Sequence, residues 1–149
     1  MTIKLAVLIS GSGTNLQAII DAVEEGSLDA SIELVLSSRP EAYGLKRAAE
    51  AGIPVMALSK EVYADPQVAD EVIASELKAR DVDYVVLAGY MRKIGPAVLA
   101  CFPNSVINLH PALLPSFPGA HAIEEAYEDL EVDAHRGGQP LYPVIFSIE

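Results

Sequence analysis

Hydrophobic positions in this chain follow two alternating rhythms. Ile3 to Ile9 is an unbroken apolar run rich in branched side chains, and it stops at Ser10-Gly11-Ser12-Gly13. A strand buried on both faces of a parallel sheet reads this way. Leu16, Ile19, Ile20 and Val23 then recur at helical spacing, and Gly26 closes the helix. The same exchange repeats. Ile32 to Leu36 predicts a second strand, Ala42 to Ala51 a helix closed by Gly52, and Pro54 to Leu58 a short third strand. Val68, Val72, Ile73 and Leu77 mark another helix, with Asp65 as cap and Pro66 as first residue. Tyr84 to Ala88 predicts a fourth strand, Gly95 to Phe102 a short helix, and Ser105 to Leu109 a fifth strand. Ala120 to Leu130 fits a helix. The stretch 131–140 is polar and broken by glycine, and Leu141 to Ile148 fits either a helix or a strand.

Strands alternating with helices predict an α/β fold: an open, mostly parallel sheet with helices on both faces. Right-handed crossovers bring the C-terminal ends of such strands to one edge, where ligands bind. Three loops stand there: Ser10 to Asn15, Gly89 to Ile94, and Asn108 to Gly119.

Bulk composition narrows the function. The 149 residues fit one domain, 1–149, and 51% of them are hydrophobic, enough for a core. A net charge of −11 argues against a nucleic-acid partner, yet leaves room for a small anion held by local donors. The single cysteine, Cys101, allows no internal disulfide and reads as packing in an apolar helix. The first apolar run is too short for a membrane span and carries no cleavage pattern, so a cytoplasmic protein without a membrane partner is expected. No Cys, His and carboxylate cluster has metal spacing; no metal is expected, and His121 and His135 read as surface residues.

The candidate chemistry lies in the three loops. In Ser10-Gly11-Ser12-Gly13-Thr14-Asn15, glycines let the backbone approach a ligand, and free amides at the helix start favour a phosphate. The loop lacks the third glycine of a dinucleotide fingerprint and the lysine of a Walker loop, and an ordinary strand–helix turn would look the same. Asn108 and His110, two apart on an extended segment, point the same way. Pro111, Pro115 and Pro118 then impose a rigid loop. An amide polarising a carbonyl and an imidazole giving a proton suit acyl-type transfer. Taken singly, each is as readily a cap or a structural histidine. In Gly89-Tyr90-Met91-Arg92-Lys93-Ile94 the backbone could bond a flat heterocycle with Met91 and Ile94 packing on it, or the segment could be a strand exit with two solvated cations.

Together, the segments Ile9 to Ile19, Leu87 to Arg92 and Ile107 to Gly119 (with Asn-Leu-His-Pro-Ala-Leu-Leu-Pro at its centre) resemble the phosphoribosylglycinamide formyltransferases of de novo purine synthesis. The match runs from the N-terminus to about Glu125. Methionyl-tRNA formyltransferases share a similar histidine loop but not this glycine-rich start. The resemblance implies a Rossmann-like formyltransferase fold, shortened by about two strands. It implies formyl transfer from 10-formyltetrahydrofolate to the amine of glycinamide ribonucleotide. Carried over, Gly13, Thr14 and Asn15 hold the substrate phosphate, and Met91, Arg92, Lys93 and Ile94 contact the folate. Asn108 touches the folate and polarises the formyl oxygen, and His110 gives the proton to the tetrahedral intermediate.

Three departures accompany the resemblance. The family's aspartate, which keeps the imidazole protonated, has no counterpart in a matching motif after His110; Asp129 and Asp133 lie in unmatched sequence. The residues Leu141-Tyr142-Pro143-Val144-Ile145 resemble the start of the family's C-terminal helix but arrive early, making 126–149 a divergent tail, and Gly138 falls near the position of a sugar-contacting glutamate. Pro66 stands where the family has a folate-contacting arginine. Losing the carboxylate lowers the imidazole pKa, so impaired turnover is expected unless another acid substitutes or the tail pairs between chains. Alternatives are a non-catalytic nucleotide-binding domain and a fragment stabilised as an oligomer, with a homodimer allowed. A dinucleotide-dependent oxidoreductase is disfavoured because Ser37-Ser38-Arg39, not an acid, ends the second strand.

Overall fold

Alternate side chains of the first strand, β1 (Ile3–Ile9), are buried on opposite sides of a sheet, which sets the layers of the fold. The computed structural model describes residues 2–109. Beside β1 lie β2 (Ala30–Ser37), β3 (Val55–Ala57), β4 (Tyr84–Ala88) and β5 (Val106–Leu109). The order is β3-β2-β1-β4-β5, and every pair is parallel. The expected open parallel sheet is therefore present. His110, the prolines after it, the stretch 120–130, the tail 126–149, and His121 and His135 lie outside the described residues.

Helices cover both faces. On one side, α1 (Thr14–Glu24) and α2 (Tyr43–Glu50) pack Leu16, Ile19 and Ala48 against Leu5, Val7, Ile9, Val86 and Ile107. On the other, α4 (Pro66–Ala79), α5 (Pro96–Cys101) and the residue that ends α5 pack Ile73, Leu77, Val98 and Phe102 against Ala6, Leu8, Val85 and Val106. A sheet buried twice needs apolar residues at consecutive positions, which is why β1 reads as a continuous run rather than an alternation.

Several boundaries differ from expectation. β2 starts at Ala30 and ends at Ser37, beyond the apolar run Ile32 to Leu36, because its flanks pair with β1 through backbone bonds that need no apolar side chain. A one-turn helix, α3 (Lys60–Tyr63), follows β3, with Ser59 accepting from the Val62 amide; four residues are too few to show a period. Asp65 caps α4 by accepting from the amides of Gln67 and Val68, with Pro66 at its first turn, as expected. Cys101 is a correction: as the last residue of α5 it is exposed, because the helix buries Val98 instead.

The close approach of α2 to the turn after β1 depends on two glycines. Gly13 has φ +77°, and a Cβ there would meet the Gly44 Cα at 2.6 Å. A Cβ on Gly44 would run into Ile9 Cδ1 and lie 3.2 Å from the Gly13 Cα. The Gly44 amide donates to the Gly11 carbonyl at 3.0 Å. Alanine at Gly44 would gain up to about 1 kcal/mol of helix propensity. Overpacking costs about 1–3 kcal/mol and outweighs it. Gly44→Ala is therefore expected to lower the denaturation midpoint, read by urea unfolding. An unchanged or raised midpoint would show that the interface yields.

Candidate active site

The parallel sheet delivers the ends of β1, β2, β4 and β5 to one edge, and the expected site residues within the described range are found there. The glycine turn leads from β1 into α1, whose cap is Gly13 with no side-chain hydrogen bond and no acidic residue in the first turn. The first turn of α1 therefore presents backbone amides without an internal anion to satisfy them. A cavity of about 330 Å³ lies over this turn, lined by Gly13, Thr14 and Asn15 from one side and by Gly89 and Met91 from another. Arg47 braces the turn from behind: its Nε donates to the Ser12 carbonyl at 2.7 Å and its Nη1 to Gln17 Oε1 at 3.3 Å.

The segment after β4 is held at both ends by buried side chains. Ser10, 3% exposed, accepts from the Met91 amide through its Oγ at 2.8 Å and shares a short hydroxyl–hydroxyl bond with Ser38. At the far end, the buried carboxylate of Asp70 accepts from the amides of Gly95 at 3.1 Å, Ala97 at 2.7 Å and Val98 at 3.3 Å, capping α5. Between these anchors Met91 is 82% exposed, a large apolar side chain open to a partner. A second cavity, about 290 Å³, lies on the other side of Met91, walled by Tyr63, Ala69 and Ile73, with Pro66, Arg92 and Lys93 at its rim. Of the two cations Arg92 is not simply solvated: its guanidinium lies 4.4 Å from the centre of the Tyr63 ring. Ile94 is half-buried against the α4 layer.

Asn108 lies opposite Leu87, itself opposite Leu8 of β1. Adjacent strands are about 4.8 Å apart, so Asn108 is roughly 10 Å across the sheet from β1. Alternation puts it on the same face as Val106, the α4/α5 side where the Met91 segment lies. Gly13, Thr14, Asn15, Met91, Arg92, Lys93, Ile94 and Asn108 thus gather along one edge; His110 lies outside the described residues. Sequence patterns left the roles of five residues unassigned. Asp70 was legible, since it falls three and four residues before Ile73 and Ala74 on the buried stripe of α4. The roles of Ser10, Arg47 and the Tyr63–Tyr90 pair needed contacts distant in sequence.

Tyr63 and Tyr90 share a hydroxyl bond of 2.7 Å beneath the segment. Burial pushes the Tyr63 phenol above its usual value, against opposing effects of Tyr90 and Arg92. Burial also raises Tyr90, and the bond to Tyr63 adds to it. Glu41, on the surface, is lowered by its own backbone hydrogen bond and then by the hydrogen bond from Arg39.

The family model described as formyl transferase matches residues 3–135. The chain belongs to the formyl transferase family. It is similar to the phosphoribosylglycinamide formyltransferase of Haemophilus influenzae, at 42% identity over 125 residues, covering 84% of this chain and 59% of that protein. The Dictyostelium discoideum protein of the same name is 42% identical over 163 aligned positions, covering 100% of this chain and 79% of its own length. Since 163 positions exceed 149 residues, that alignment carries this formyl transferase chain past positions for which it has no counterpart. The crystal structure of glycinamide ribonucleotide transformylase 1 from Symbiobacterium toebii superposes with a TM-score of 0.72 at 45% identity, covering 86% of this chain and 60% of that one. The chain therefore spans about three fifths of the length of several of its relatives.

Two outcomes test the geometry of the Met91 segment and the residues beneath it. Both phenols keep their protons more tightly folded than unfolded, so the stability they contribute is full below the ordinary phenol value of 10.0 and falls as pH rises above it. Urea midpoints at rising alkaline pH should decline, and Tyr63→Phe should decline less. Ser10→Ala leaves the Met91 amide without its acceptor. We expect a lower urea midpoint, consistent with about 1–2 kcal/mol for a lost buried partner. An unchanged midpoint in Ser10→Ala would show that the segment holds itself.

Proposed function

We propose that this chain performs the formyl transfer named for its relatives, from 10-formyltetrahydrofolate to the amine of glycinamide ribonucleotide. The observation that carries this reading is the Ser10–Met91 hydrogen bond, which joins an amide-rich turn suited to a phosphate to an exposed apolar segment suited to a flat ring. Gly13, Thr14 and Asn15 hold the phosphate with backbone amides at the start of α1. The apolar wall of Tyr63, Ala69 and Ile73, with Met91 beside it, fits the folate, and Met91 to Ile94 would hold it. The folate supplies the formyl group. Asn108 donates from its amide to the formyl oxygen as charge gathers there, and His110 gives the proton that the collapsing adduct needs. We place this activity in the cytoplasm, without a nucleic-acid or membrane partner; among the described residues no helix is long and apolar enough to cross a membrane. A homodimer is the assembly to test by sedimentation.

A carboxylate beside the imidazole would hold it charged, and none in a matching motif follows His110. Turnover of the 149-residue chain is therefore expected about 10²- to 10⁴-fold below that of a full-length relative, the range general acid catalysis supplies. Matching turnover would refute the impairment. Within the residual activity, Asn108→Ala should lower kcat by about 10²- to 10³-fold while KM for both substrates stays near its starting value. An unchanged kcat would remove Asn108 from the chemistry. Substrate binding measured by calorimetry with no turnover at all would favour a non-catalytic binding domain instead.

A further inference from the structure

Among the described residues lining the cavity over the glycine turn, one carries a charged side chain: Arg39. The whole chain carries −11, so a phosphate monoester meets repulsion at long range. A helix N-terminus offers only about half a positive charge against it. Recruitment of a dianion at this edge calls for a cation, and the backbone of Arg39 is fixed beside the turn. Its amide donates to Ser37 Oγ at 3.0 Å, and the Ser37 hydroxyl donates back to the Arg39 carbonyl at 2.7 Å. The Ser38 amide between them donates to the Ile9 carbonyl at 3.0 Å. The backbone of Arg39 is thereby pinned to the end of β1 from which the glycine turn departs.

The side chain is a different matter. It is 62% exposed, and its Nε donates to Glu41 Oε2 at 2.8 Å, on a carboxylate that is 64% exposed. An ion pair this solvated contributes little to stability and is readily exchanged. A guanidinium fork matches the oxygens of a phosphate better than it matches a single carboxylate oxygen through Nε.

We propose that Arg39 is the residue that selects the substrate's phosphate at the glycine turn, with Glu41 as its resident competitor. This rests on the reading of the turn as the phosphate end of the site. A phosphate dianion draws the guanidinium from Glu41, and the cost of breaking that pair sets how strongly Arg39 contributes. Arg39 thus discriminates sugar phosphates from the unphosphorylated sugars, which cannot compete with the carboxylate.

Ribose 5-phosphate and ribose serve as probes, titrated by calorimetry into the full chain and its variants; both side chains are exposed, so the variants fold. Arg39→Ala should weaken ribose 5-phosphate by about three- to tenfold and flatten its salt dependence. Glu41→Gln should tighten it by about two- to threefold, an effect the double variant loses. Ribose itself should not respond. Equal ribose 5-phosphate affinity in Arg39→Ala, a Glu41→Gln gain that survives in the double variant, or no binding by the unaltered chain overturns the proposal. Formyl transfer stays outside this readout. A chain that transfers formyl groups but binds ribose 5-phosphate equally in all variants keeps its function and loses Arg39 as selector. A chain that shows the Arg39 and Glu41 effects without transfer keeps the selector and loses the function.

Discussion

β1 is covered on both faces, and that constraint organises everything else. Leu5, Val7 and Ile9 are claimed by α1 and α2, and Ala6 and Leu8 by α4 and α5. Its neighbours are parallel and reached by crossovers, and the helices of those crossovers cover the two faces. Parallel strands in turn discharge their loops at a single edge. The site is therefore a by-product of double burial: phosphate-type donors, an apolar platform and an amide on β5 arrive side by side without any loop having to reach across the sheet.

Arrival is not enough; the loops must hold still. The two described loops are fixed by polar side chains planted in the layer beneath them. Arg47 of α2 holds the glycine turn by its Ser12 carbonyl, Ser10 holds the start of the Met91 segment, and Asp70 of α4 holds its end by capping α5. None of these side chains needs to touch a ligand. They take backbone amides and carbonyls that would otherwise turn toward solvent and commit them, leaving the remaining donors aimed outward. Preorganisation of this kind is how a scaffold narrows the freedom a ligand would have to quench on binding.

The sheet, its order of elements and the position of the crevice were legible because burial writes a strong pattern. The unbroken apolar runs at β1 and β4 and the periodic stripes of α1 and α4 each repeat one physical demand many times. Asn108 and the glycine turn were legible for a different reason: strand exits in a parallel sheet are few, and polar or glycine residues there stand out against the run before them. What escaped were single long-range contacts. The Ser10 hydroxyl meets Met91 across 81 positions of sequence, and Arg47 meets Ser12 across 35. One-to-one bonds between such distant residues leave no period to detect. Arg39 was visible only as the absence of an acid, since its meaning comes from the cavity it borders. Cys101 was misjudged because a helix of six residues buries so narrow a stripe that an apolar composition does not say which side faces inward.

Gly13 and Gly44 meet backbone to backbone, each already reduced to the smallest residue there is. Contacts between larger side chains can drift over evolutionary time, one partner shrinking as the other grows. This contact has no volume to trade. The spacing between α1 and α2 is consequently frozen at its minimum, and any variation in this half of the molecule has to be absorbed at the far ends of those helices, away from the edge that carries the candidate site.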